Sequence, residues 1–193
     1  VAGLAFGGGA APQLLLDAGP FVRWGLPVAR LFVNLGAAGI IGTLVLALFA
    51  LKAGEREFET AMNVASVSAA IFTIASAVTA FFTYLNAFPT TVRPDAEFGA
   101  QLAAFMLDIP MGRAWLMTVV AGAIITVVAF AVRGWLGTAL LLALSIAALY
   151  PMATQGHTAG AAGHNIAVTG LFLHLVGAAV WLGGLILLIV IRP

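Results

Sequence analysis

Three histidines lie near the C-terminal end of this chain, at His157, His164 and His174, and Met152 shortly precedes them. Imidazole nitrogens and thioether sulfurs are donors that suit Cu(I) better than a hard cation. The sequence therefore predicts a metal site formed by these four side chains. For His157 and His164 the alternative is that they are ordinary polar residues of a loop that faces water, and for Met152 it is a role in packing alone.

His174 lies deep within an apolar run, unlike the two histidines before it. Because an α-helix rises about 1.5 Å per residue, His174 lies roughly 15 Å along the helix axis from His164, near the middle of a bilayer. An ionisable side chain at that depth is costly and is usually functional. The alternative is a packing histidine that is hydrogen-bonded to a neighbouring helix.

Two further features, a tryptophan and a row of hydroxyl residues, could either line a pathway through the membrane or serve only the packing of helices. Trp181 follows His174 by seven residues and therefore shares its face of the helix. Four hydroxyl residues fall within about 100° on the helical wheel of an earlier apolar run: Ser66, Thr73, Ser76 and Thr83. This polar face could supply a hydrogen bond to His174, or it could serve contacts between other helices.

The composition indicates that these residues are held in a lipid bilayer. Hydrophobic residues make up 63% of the 193 positions and charged residues only 8%, far from the roughly one quarter of charged residues in soluble domains. All seven acidic residues fall between the long apolar runs. In lipid such runs must be helical, because a helix satisfies its own backbone groups. The expected fold is an all-α, polytopic transmembrane bundle.

The apolar runs predict about six helices, of which the first is truncated. They cover residues 1–11, 27–51, 60–87, 113–132, 136–153 and 164–191. Pro27 opens the second run, as prolines often do in a first helical turn. In the connection 86–112, Asp95 can cap a short helix whose apolar residues recur at helical spacing. We expect that helix to lie at the membrane interface and to end at Pro110.

Several classes of protein are disfavoured by what the sequence lacks. A net charge of +1 without a clustered basic surface gives no reason to expect nucleic acid. There is no cysteine, which excludes disulfides and thiolate metal sites. No Walker, GxSxG or HExxH motif is present, so no enzyme is predicted. We interpret residues 1–193 as a single membrane domain, and as a segment of a longer chain because it opens and closes on apolar runs.

The C-terminal residues resemble the copper resistance D (CopD) family of bacterial membrane proteins. The resemblance rests on Gly156-His157, on Leu173-His174-Leu175 and on the Trp181-Leu182-Gly183-Gly184-Leu185 segment. The spacing of His157 and His164 is similar to that of actinobacterial members fused to a cytochrome c oxidase assembly (CtaG-like) domain.

This resemblance implies a copper-handling protein of the bacterial inner (plasma) membrane, active in copper transport, resistance or delivery. It assigns metal-binding roles to His157 and His174 and makes Trp181 the tryptophan of the family. The implied partners, besides the lipid bilayer, are a C-terminal oxidase-assembly domain or a periplasmic copper carrier.

Two alternatives to copper handling remain open from the sequence. A b-type haem electron carrier would use intramembrane histidines as axial ligands, but His174 lacks a partner histidine at its depth. A structural or assembly subunit of a respiratory oxidase complex would need few ligands at all. An absorbance spectrum of the purified protein separates the haem carrier from the other two.

The connections predict the orientation of the bundle. The short connections 52–59 and 133–135 contain Lys52, Arg56 and Arg133, which mark the cytoplasmic side. A cysteine introduced at Ala159 should therefore react with a membrane-impermeant thiol reagent in intact cells, whereas one at Gly54 should not. Protection at Ala159 together with labelling at Gly54 would overturn this topology.

Overall fold

The computed structural model describes residues 18–88, 92–154 and 164–192 of the chain, and it is helical throughout the elements it describes. The helices are α1 (Gly19–Phe49), α2 (Arg56–Ala87), α3 (Ala96–Asp108), α4 (Pro110–Ala131), α5 (Trp135–Ala147), α6 (Tyr150–Ala153) and α7 (His164–Val190).

Five segments of these helices are long and apolar enough to cross a membrane. They are Gly19–Phe49, Arg56–Ala87, Pro110–Ala131, Trp135–Ala153 and Val168–Val190. The predicted all-α bundle is therefore confirmed, with α5 and α6 together forming one span. The predicted truncated helix at residues 1–11 lies outside the described residues.

The start of α1 differs from the prediction. The helix begins at Gly19, with Pro20 in its first turn, and Pro27 lies inside it. Residues 19–26, predicted as part of a connection, are therefore helical. A proline inside a membrane helix removes one hydrogen bond, but neighbouring helices support the backbone there. Here Val22 and Ala29, on either side of Pro27, are both buried against the rest of the bundle.

The short helix of the long connection is confirmed as α3. The Asp95 carboxylate accepts a hydrogen bond of 2.8 Å from the backbone N–H of Phe98, as an N-cap should. Phe105 is its one buried residue, and the Phe105 ring lies 5.5 Å from that of Tyr84 in α2. Ile109 ends α3, and Pro110 opens α4 at once.

The spans form a bundle in which α1 is central. It packs against α2, α5 and α7, while α4 packs on α2 and also contacts α5 and α6. The two short connections, 50–55 and 132–134, lie at the same end, because Arg133 forms an ion pair of 3.2 Å with Glu59 near the start of α2. We call this end the basic side of the bundle.

Helices α1 and α7 run parallel and touch through glycine. A Cβ atom added to Gly183 would overlap the carbonyl oxygen of Ala38, and one added to Gly42 would overlap the backbone of Gly183 and Gly184. These two backbones are therefore in direct contact, as small residues permit in membrane helices. A Cβ atom at Gly177 would meet nothing within 4 Å.

This contact predicts that Gly183→Val destabilises the protein while Gly177→Val does not. The valine at 183 must push α7 away from α1, and overpacking of this kind costs about 1–3 kcal/mol. The free energy of unfolding in mixed micelles measures the difference, and Gly177→Val is the matched control on the same helix. Equal stability of the two variants would contradict the observed packing of α1 on α7.

Candidate functional site

A cavity of about 210 Å³ lies between α1, the end of the α5–α6 span, and α7. It contains two of the four predicted metal ligands, Met152 and His174. Its walls are otherwise mainly small or aliphatic. The complete lining is Asn34, Ala37, Ala38, Leu149, Met152, His174, Leu175, Ala178, Ala179 and Leu182.

Met152 reaches this cavity because the chain turns between α5 and α6. Helix α5 ends at Ala147, and the Met152 N–H donates to the Leu149 carbonyl at 3.1 Å. The Tyr150 ring then packs edge-on against Phe172 of α7, with ring centroids 6.3 Å apart. This ring contact packs α6 against α7, and Met152 and His174, each two residues further along its helix, both line the cavity.

His174 lies within the apolar part of α7, six residues after the first residue of the segment Val168–Val190. This depth is about 9 Å from that end at 1.5 Å per residue. The side chain is exposed at the surface of the bundle and lines the cavity. It is therefore an intramembrane imidazole, in the half of the span away from the basic side.

Asn34 is a lining residue that the sequence analysis missed. It stands at the midpoint of α1, where an amide has no water to bind. The signal was present, since Asn34 interrupts a run that is otherwise apolar from Leu31 to Ile41. Its significance depends on the helix that faces it, which only the fold reveals.

The charges around the cavity are unusual for a cation site. No carboxylate lines it, and Arg30 lies on the same face of α1, one turn before Asn34. An ion in the cavity would therefore be bound by neutral donors alone. Among the described residues there is no group of three or more histidine, cysteine or acidic side chains that could hold a metal.

The remaining predicted ligands cannot be placed at this cavity. His157 lies outside the described residues, and His164 is described only as the first residue of α7. Their participation in the metal site stays a prediction.

Trp181 does not share the surroundings of His174, despite its spacing on α7. Its side chain is 70% exposed and is not part of the cavity lining. In a membrane protein such a side chain faces lipid or another helix. Its assignment to a pathway or to packing stays open.

The polar face of α2 lies away from His174. The Thr73 hydroxyl lies 3.0 Å from that of Thr126 in α4, and Ser66 donates to the Met62 carbonyl at 2.8 Å. Ser76 is fully buried, and its hydroxyl has no hydrogen-bond partner within the described part of the chain. Helix α7 packs mainly on α1. The polar face of α2 therefore forms hydrogen bonds within α2 and with α4, and none of those described reaches the His174 imidazole.

Comparison with known proteins gives one result. The family model described as "Copper resistance protein D-like, N-terminal domain" matches residues 17–168. The match includes Asn34, Met152, His157 and His164 and ends before His174. No curated protein and no solved structure matches the chain.

Proposed function

The chain belongs to the copper resistance protein D-like family, and from this premise we propose that it moves or delivers copper through the cavity between α1, α6 and α7. Its five apolar spans make it a multi-pass membrane protein, and the inner membrane of a bacterium fits the family. The observation that carries the proposal is that His174 and Met152 both line one cavity between the membrane spans.

The donors of this cavity fit copper in its reduced form. Thioether sulfur selects Cu(I), and imidazole binds copper well, whereas hard cations prefer carboxylate and carbonyl oxygens. The cavity has no carboxylate to neutralise a divalent ion. The Born cost of dehydration rises with the square of the charge, so a divalent ion would need about four times as much compensation as Cu(I).

A site with few ligands suits an ion that must leave again. Conduction requires binding that is favourable enough for entry and weak enough for release. One imidazole and one thioether meet this requirement better than a closed set of four ligands, which is typical of structural metal sites. We propose that His157 and His164 collect copper at the mouth and that His174 and Met152 hold it within the membrane.

The source and destination of the copper belong to the same proposal. The spacing of His157 and His164 resembles that of proteins fused to an oxidase-assembly domain, which would receive the ion directly. A periplasmic copper carrier is the other partner of suitable chemistry. A b-type haem is disfavoured, because within the described spans His174 has no second histidine at its depth to complete a pair of axial ligands.

The proposal predicts that copper accumulation depends more on His174 than on His157 or His164, the two histidines proposed to lie at the mouth of the cavity. His174→Ala should reduce accumulation to the level of cells without the protein, because an intramembrane ion has lost its hydration and finds few substitute ligands. His174→Met keeps a soft donor and should restore part of it. His157→Ala and His164→Ala should raise the copper concentration needed for half-maximal accumulation, because water or a nearby methionine can replace a mouth ligand.

The measurement is cellular copper at matched membrane levels of each variant. Leu173→Ala is the control, since Leu173 adjoins His174, is 62% exposed and does not line the cavity. Accumulation by His174→Ala at the wild-type level, combined with loss in His157→Ala, would make His174 a packing residue and move the site to the surface.

A further inference from the structure

Asn34 and His174 are the two side chains of the cavity lining that can form strong hydrogen bonds. The Met152 thioether is only a weak acceptor, and the other lining residues are alanine and leucine. Both polar residues lie within membrane spans. An unsatisfied polar group there is costly because no water is available. Each of the two therefore gains from pairing with the other.

The helix register places the two residues at nearly the same depth. In the parallel pair of α1 and α7, Gly183 meets the segment between Ala38 and Gly42. Counting back along both helices puts Asn34 level with residues at roughly 175–179 of α7, about one to five residues, or about 1.5–7.5 Å along the axis, beyond His174. In parallel helices both side chains also lean in the same direction, toward the N-termini. An amide and an imidazole at this offset can meet across the cavity.

We propose that Asn34 positions His174 for copper by accepting a hydrogen bond from one imidazole nitrogen, so that the other nitrogen faces Met152 and the ion. A metal-bound histidine commonly donates its second N–H to a carbonyl or carboxylate oxygen, which fixes the tautomer and the ring orientation. The amide oxygen itself is a hard donor, so Cu(I) is bound by nitrogen and sulfur. This inference rests on the proposed copper function.

The test uses the purified full chain in lipid nanodiscs, in a His157→Ala/His164→Ala background that leaves His174 as the remaining histidine. Cu(I) affinity is measured by competition with a chromogenic chelator. Asn34→Leu removes the acceptor at similar size and should weaken binding by about 10–100-fold. Asn34→Asp keeps an acceptor oxygen and should bind Cu(I) at least as tightly as the background protein.

Asn86→Leu is the matched control. It makes the same chemical change at an exposed position in the last turn of α2, away from the cavity lining, and should leave the affinity unchanged. A second readout separates positioning from packing: the ¹⁵N chemical shifts of the His174 ring report its tautomer. A single tautomer is expected with Asn34 or with Asp at this position, and a mixture is expected in Asn34→Leu.

The outcomes separate this inference from the function on which it rests. Absence of Cu(I) binding in both the wild-type chain and the background protein would reject the copper proposal, and the tautomer measurement on metal-free protein would still test the hydrogen bond. Binding that is lost in His174→Ala but unchanged in Asn34→Leu would reject the role of Asn34 alone. Equal losses in Asn34→Leu and Asn34→Asp, with no change of tautomer, would also reject it.

Discussion

The contact between Gly42 of α1 and Gly183 of α7 determines the geometry of the candidate site. It brings the two backbones together at one level, and there no side chain can intervene. On the side of this contact opposite the basic connections, the cavity lies between the two helices, and Ala37, Ala178 and Ala179 are among its lining residues. The close contact therefore adjoins the cavity, and His174 lies further along α7 in the lining of that cavity.

The site contains polar side chains whose burial in the membrane costs free energy, and the alanine and leucine side chains that line it offer them no hydrogen bonds. Helix α7 is the least buried span: 22% of its most apolar stretch is buried inside the bundle, compared with 61% for α1. The imidazole is exposed, and α7 itself is positioned chiefly by its packing on α1 and by the Tyr150–Phe172 ring pair. A weakly enclosed ligand set favours exchange of an ion over permanent storage, and it makes the orientation of the imidazole depend on a neighbour such as Asn34.

Local signals predicted the elements well, whereas the site depended on tertiary contacts. Asp95 correctly predicted the start of α3, because an N-cap side chain binds a backbone N–H within the first turn of its own helix. The start of α1 was predicted at Pro27, because prolines are common in the first turn of a helix. The proline in the first turn is instead Pro20, and the helix continues through Pro27. Thr73 was considered for His174, yet it contacts Thr126 of α4. Asn34 could not be selected from the sequence, because its role depends on which face of α1 meets α7.

The central claim is that one imidazole and one thioether bind copper together within the membrane. X-ray absorption spectroscopy of the Cu(I)-loaded His157→Ala/His164→Ala protein tests it most directly, because sulfur and nitrogen scatterers are distinguishable around copper. The account predicts one sulfur and one imidazole nitrogen, with the sulfur lost in Met152→Leu and retained in Met111→Leu, a methionine outside the cavity lining. A copper environment without sulfur, or one that Met152→Leu leaves unchanged, would contradict it.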